Sequence, residues 1–234
     1  MPDNNNDLQN RPYIEMKGIV KDFGHIRALD YVYFWINPQE IVGLVGDNGA
    51  GKSTLIKILS GVLQTTAGKI YIDGKEVRFE SSKDAMEYGI ETIYQDMNLI
   101  DMMSIMRNIF CGREETSRGG FLKIKDMRQK AMDVLLKGIT IEGIRTPKQI
   151  VRTLSGGQRQ AVALARAVYF KKKLLLLDEP TSALSVKETK KVLDYIKQLK
   201  SEGASCVFVT HNLHHAYMVA DRFVILSHGK KCLI

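Results

Sequence analysis

The sequence predicts an α/β chain: a mostly parallel sheet with flanking helices, an N-terminal antiparallel β subdomain and an inserted helical subdomain. Three observations carry this prediction. Residues 174–177 and 204–210 are continuous apolar runs on either side of an amphipathic stretch, Val186–Ser201, the pattern of two parallel strands buried on both faces and joined by a helical crossover. Ile41–Val45 leads through a glycine-rich loop into Lys52–Leu59, whose apolar Leu55, Ile56 and Leu59 recur at helical spacing. The segment from 104 to 168 reads as helical, interrupted by Gly119-Gly120 and Pro147.

Taken in order, the opening MPDNNNDLQNRP is polar and lacks a cationic start followed by an apolar run. Residues 1–12 are therefore expected to form a disordered tail rather than a secretory signal. Residues 13–45 are rich in β-formers, with runs at 32–36 and 41–45 punctuated by Asn37-Pro38. After the loop and helix at 46–59 come hairpin-like strands around 70–73 and 77–79, then the helical subdomain at roughly 97–168. The strand–helix–strand unit at 174–210 completes the core. No internal repeat and no linker divides 13–234, which predicts one domain.

A chain of 234 residues with 44% hydrophobic and 26% charged residues has the balance of a globular protein with a sizeable core. Its longest purely aliphatic run, 174–177, is far short of the roughly 20 residues that span a bilayer, so any membrane association is expected to be peripheral. Cys111, Cys206 and Cys232 are widely separated and odd in number, which argues against a disulfide framework and a zinc site. The net charge of +8 suits nucleic acid, acidic headgroups or a polyphosphate ligand. Lys187, Lys190, Lys191, Lys197 and Lys200 are spread along one helix with Glu188 and Asp194 among them, and no aromatics alternate with them as a base-stacking groove requires. Nucleic acid is the less favoured partner.

The stretch Gly46-Asp47-Asn48-Gly49-Ala50-Gly51-Lys52-Ser53, followed by Thr54, fits a phosphate-binding loop between a strand and a helix, which makes the core a P-loop NTPase core. Its glycines let backbone N–H groups curl around a phosphate, Lys52 reaches the β- and γ-phosphates, and Ser53 can ligate Mg²⁺. The run at 174–177 ends in Asp178 and Glu179: a carboxylate for the metal side of the phosphates, then a base or water-orienting group for attack on the γ-phosphate. Leu154-Ser155-Gly156-Gly157-Gln158 is expected to open another helix, with Ser155 at its N-cap and glycines that permit close backbone approach.

With these motifs in this order, the chain resembles the nucleotide-binding domains of ATP-binding cassette (ABC) transporters, whose LSGGQ signature lies between the two Walker motifs. The resemblance covers nearly the whole chain. It implies that Phe23 stacks on adenine, that Gln95 is the Q-loop glutamine that meets the metal and the attacking water, and that His211 is the switch histidine facing the γ-phosphate. It also implies a composite site, in which Ser155, Gly156, Gly157 and Gln158 close over ATP held by a second subunit, so that the chain works as a dimer.

The stretches GIETIYQDMNLIDMMSIMRNIFCGRE, TPKQIVRTLSGGQRQAVALARAV and THNLHHAYMVADRFVILSHGK resemble the monosaccharide-importer branch with one cassette per chain. That implies a homodimer on the cytoplasmic face of the membrane, transmembrane permease subunits, and an extracytoplasmic sugar-binding protein. Leu99, Ile100, Met102 and Met103, just after the Q-loop, are candidates for the permease-facing surface. Two positions depart from the pattern: Ser185 stands where many cassettes have the D-loop aspartate, and Tyr94-Gln95-Asp96 replaces His-Gln-Glu. The alternative from another class is a soluble ABC ATPase acting on nucleic acid or ribosomes. Against it, no sustained heptads separate Lys52 from Ser155, and ribosomal members usually carry two cassettes.

Overall fold

The computed structural model describes residues 11–94, 99–137, 144, 146–170, 173–182 and 184–232. The chain begins as β1 (Ile14–Phe23) and β2 (Ile26–Ile36), then crosses to β3 (Ile41–Val45) and the loop that opens α1 (Lys52–Leu59). A hairpin, β4 (Ala67–Ile72) and β5 (Lys75–Val77), precedes α2 (Ser82–Glu87) and β6 (Ile90–Ile93). Helices α3 (Ile105–Phe110), α4 (Ile124–Lys137) and α5 (Gly156–Tyr169) follow. The final part is β7 (Leu174–Asp178), α6 (Val186–Ser201), β8 (Ser205–Thr210), α7 (Leu213–Val219), β9 (Arg222–Ser227) and β10 (Lys230–Cys232).

These strands form two sheets. One is antiparallel, in the order β2-β1-β4-β5; the other runs β10-β9-β3-β8-β7-β6 and is parallel except at its β10 edge. Strands β3, β7 and β8 are buried on both faces, which explains why they read as nearly unbroken apolar runs. Successive side chains alternate: Leu174 and Leu176 of β7 with Val207 and Val209 of β8 face the antiparallel sheet and α1, whereas Leu175, Leu177, Cys206 and Phe208 face α5, α6 and α7. Burial alone pushes the Cys206 thiol up, so it is an inert core group rather than a nucleophile.

Helices α3, α4 and α5 enclose a core of their own, built on Ile105, Ile109, Phe110, Met127, Ala131 and Val162. Within the stretch expected to be helical, Thr116 and Leu122 form an antiparallel bridge around Gly119-Gly120. The second hairpin strand also lies earlier than the sequence suggests, at Lys75–Val77. Phe79, which prompted that expectation, is buried from a loop and packs beside Tyr88, with ring centroids 6.0 Å apart. Its apolar character reports burial, not extension.

A buried ion pair ties the two sheets together. Arg222 at the start of β9 donates from Nε to Glu40 Oε1 at 2.6 Å and from Nη2 to the Trp35 carbonyl at 2.7 Å, while its guanidinium lies over the Trp35 ring. Glu40 Oε2 accepts from the Asn37 amide at 2.8 Å, so the carboxylate also fixes the turn between β2 and β3.

Candidate nucleotide site

The order of strands in the parallel sheet decides where the motifs meet. Neighbouring strands β3, β8 and β7 end side by side, with Val45 beside Thr210 and Val209 beside Asp178. The loop after β3, the turn after β7 and the residue after β8 therefore emerge along one edge, the place where open α/β sheets bind ligands. Strand β6 is the next neighbour, and Gln95, just beyond it, lies outside the described residues.

A cavity of 180 Å³ opens there, lined by Ala28, Asn48, Gly49, Gly51, Lys52, Ser53, Thr54, Asp178 and Glu179. The loop around it is packed from behind. A Cβ on Gly46 would fall on the Leu226 carbonyl, and one on Gly51 would come within 2.7 Å of the Ala28 carbonyl oxygen. These two glycines are thus required by the neighbouring strands as well as by the curl of the loop. Gly229 donates its N–H to the Ala50 carbonyl at 3.1 Å, so the β9–β10 turn braces the loop too.

Lys52 is 7% exposed and folds back over the loop, its Nζ donating to the carbonyls of Gly46 at 2.6 Å and Asp47 at 2.9 Å. The ammonium is thereby held at the mouth of a cradle of backbone N–H groups at a helix N-terminus, an arrangement suited to phosphate. Asp178 is buried, which pushes its carboxyl pKa up, while a hydrogen bond from Ser53 opposes the shift. This hydroxyl–carboxylate pair consists of hard oxygen donors. Such a pair suits Mg²⁺, which is held by one or two protein oxygens together with phosphate and water.

Glu179 adopts a left-handed backbone conformation, φ 52°, which costs of order 1–3 kcal/mol for a residue with a Cβ. The conformation is held by its surroundings. Its N–H donates to the Val209 carbonyl at 3.0 Å, and its own carbonyl accepts from Ser182 N at 3.1 Å and Ser182 Oγ at 2.9 Å. The carboxylate is clamped from β8: Oε1 accepts from the His211 amide at 2.9 Å and lies 2.9 Å from His211 Nδ1, and Oε2 accepts from Thr210 Oγ1 at 3.3 Å. With Nδ1 committed to Glu179, Nε2 is the atom of His211 that can face a phosphate.

Residues 29–182 match the ABC transporter family. The chain belongs to the ABC transporter family. As an ABC transporter cassette it binds and hydrolyses ATP. It is 48% identical over 219 residues to the xylose/arabinose import ATP-binding protein XylG of Sulfolobus acidocaldarius, covering 93% of this chain and 85% of that protein. Identity to the fructose import ATP-binding protein FrcA of Rhizobium meliloti is 40% over 233 residues, 97% of this chain and 90% of that protein. A similar solved structure is an ATP-binding cassette captured as a dimer in a post-hydrolysis state bound to ADP and Pi, with a TM-score of 0.80, 28% identity, and coverage of 93% of this chain and 96% of that one.

Two groups of expected site residues of this ABC transporter chain stand apart from the cavity. Phe23 ends β1 at the hairpin tip, 47% exposed, with Lys21 Nζ 5.1 Å from its ring centroid. Ser155, Gly156, Gly157 and Gln158 form the first turn of α5 and the residue before it, and none lines the cavity. Ser155 Oγ accepts from the Gln158 amide at 3.3 Å, and Gln158 Oε1 accepts from the Ser155 amide at 2.9 Å, a reciprocal cap. Gly157 lies against Glu188, where a Cβ would fall inside the carboxyl group. Glu188 itself closes a capping box with Ser185, so the residue that departs from the D-loop pattern caps α6. Sequence reasoning missed Ala28 and Thr210, which carry no motif: Thr210 reaches the site by strand pairing beside Val45, and Ala28 by packing of the antiparallel sheet against Gly51.

Proposed function

We propose that this chain is the ATPase of a monosaccharide importer, working as a homodimer on the cytoplasmic face of a membrane beside transmembrane permease subunits. The chemistry rests on one observation: Glu179 is fixed at the rim of the phosphate cradle by three donors from the end of β8. Lys52, the loop 46–51 and Thr54 bind the triphosphate, with Phe23 against the base. Ser53 and Asp178 would hold Mg²⁺ together with Gln95, and the ion supplies neutralisation of phosphate charge. Glu179 orients a water and takes its proton as the water attacks the γ-phosphorus, the bond from that phosphorus to the β–γ bridging oxygen breaks, and ADP leaves with that oxygen, while His211 supports the charge gathered on the phosphoryl oxygens.

The cavity takes its lining from one face of the chain and none from the signature, which supports completion of the site by a second copy's Ser155, Gly156, Gly157 and Gln158. The relatives named for xylose, arabinose and fructose import support the solute class and disfavour the nucleic-acid alternative. No described helix is long and apolar enough to cross a membrane, consistent with a peripheral subunit. Ile100 and Met102 are exposed on a loop that Asn108 pins through Ile100, a suitable contact for the permease. An extracytoplasmic sugar-binding protein would deliver the solute.

Glu179→Gln tests the chemistry. The amide keeps shape but not basicity, so turnover of Mg-ATP should fall by about 10²–10⁴-fold with ATP still bound. Turnover at the parent rate would place the base elsewhere. In cells carrying the chain, its deletion should abolish uptake of at least one labelled monosaccharide, with restoration by the parent and not by Glu179→Gln. Uptake of all labelled monosaccharides at the undeleted rate would refute the solute class.

A further inference from the structure

The residues that follow Glu179 and His211 are joined by a side chain that the ATP chemistry above does not use. His215, in the first turn of α7, has Nδ1 3.0 Å from Thr181 Oγ1, and Thr181 is buried two residues past Glu179. On the other side of the ring, Nε2 lies 3.4 Å from Asn212 Nδ2. Asn212 is the N-cap of α7, its Oδ1 accepting from the His215 amide at 3.2 Å.

This contact set fixes the state of the imidazole. Because Asn212 Oδ1 is committed to a backbone N–H, its amide nitrogen faces His215, and an amide nitrogen only donates. Nε2 must then accept, the ring proton sits on Nδ1, and Thr181 Oγ1 receives it. Asn212 N donates to Thr210 Oγ1 at 3.0 Å, and Thr210 Oγ1 in turn donates to Glu179 Oε2. The hydrogen bonds thus close a ring: Glu179, Thr210, Asn212, His215, Thr181, and back through the backbone to Glu179. Its members are on the turn after β7, at the end of β8 and at the start of α7, and the Thr181–His215 link spans 34 residues of chain.

We propose that His215 is a positioning residue for ATP hydrolysis: its neutral imidazole bolts the start of α7, which His211 directly precedes, to Thr181 on the turn that carries Glu179, so that the two groups keep one mutual geometry. The inference rests on the ATPase reading of the site and adds a residue to it. A ring of this kind acts on the rate of the chemical step rather than on ATP binding, because neither His215 nor Thr181 lines the phosphate cavity.

The test compares steady-state ATP hydrolysis by the full chain with His215→Ala, Thr181→Val, the double variant, His215→Asn and Glu179→Gln. Thr181→Val removes only the hydroxyl partner and keeps the buried shape, so it serves where His215→Ala folds poorly. Each single variant should lower kcat about three- to tenfold, the scale of one lost hydrogen bond, with KM for ATP unchanged. The double variant should be no slower than the slower single one, since both remove the same link. His215→Asn, whose amide nitrogen can occupy the place of Nδ1, should recover most of kcat, which a purely structural role does not predict. Losses that multiply, or that appear in KM with kcat intact, overturn the positioning role. Parent rates in His215→Ala and Thr181→Val, with turnover lost in Glu179→Gln, also overturn it and leave the ATPase reading standing; turnover indifferent to Glu179→Gln overturns both.

Discussion

Gly157→Ala offers a sharp check of how the signature turn is built, because the sign of its effect depends on one neighbour. Gly157 is the second residue of α5 and shows no left-handed backbone, so an alanine there would ordinarily favour the helix by roughly 0.5–1 kcal/mol. The new Cβ, however, would lie 3.0 Å from Glu188 Cγ and overlap the rest of the carboxyl group. Glu188 must swing away. In doing so its Oε2 gives up the Ser185 amide at 2.9 Å and the Ser185 hydroxyl at 2.8 Å, which together cap α6 and hold the Glu188 carboxyl below its ordinary pKa. A lost cap costs roughly 0.5–2 kcal/mol, and the half-exposed position of Glu188 favours about 1–1.5 kcal/mol here. The balance makes Gly157→Ala destabilising by about 0.5 kcal/mol, at roughly 2–4 °C in Tm per kcal/mol for a chain of this size. In a Glu188→Ala background the cap is already gone and the space is open, so the same substitution should stabilise by roughly 0.5–1 kcal/mol. Urea denaturation of the four members of the cycle measures the coupling. Equal destabilisation in both backgrounds would show that the Gly157–Glu188 contact does not exist, and with it the link between the signature turn and the start of α6.

Two further outcomes follow from buried charge. Asp178→Asn should raise the Tm of the nucleotide-free chain by about 2–4 °C for roughly 1 kcal/mol recovered, and should abolish the extra stability that Mg-ATP confers. Because burial raises the folded-state pKa of Asp178 above its unfolded value, the penalty is present above the folded pKa and fades as pH falls towards the ordinary carboxylate range, so the gain should shrink at acid pH. A gain that grows on acidification, in thermal scans across that range, would contradict the assignment. Arg222→Ala should cost about 3 kcal/mol, the low end for breaking a buried pair, since the Arg222 side chain keeps 25% of its surface exposed while Glu40 keeps 10%. A loss below about 0.5 kcal/mol by chemical denaturation would mean that Glu40 is satisfied without Arg222.

The amino-acid sequence by itself determined the elements and the chemistry that each one carries. The apolar runs that became β7 and β8, the helical spacing of α1 and α6, and the loop from Gly46 to Ser53 are local patterns, and local patterns survive without knowledge of what they pack against. The same holds for Asp178 and Glu179, whose acidity ends a strand. Only the tertiary structure decided which of these residues meet. Strand order places β8 between β3 and β7, and that adjacency brings Thr210 and His211 onto the Glu179 carboxylate and His215 onto Thr181. The backing of Gly51 by Ala28, and the closeness of Gly157 to Glu188, likewise depend on elements far apart in the chain. Hydrogen bonds and steric contacts act over a few ångströms in space, and sequence separation carries no information about that distance until the sheet order is fixed.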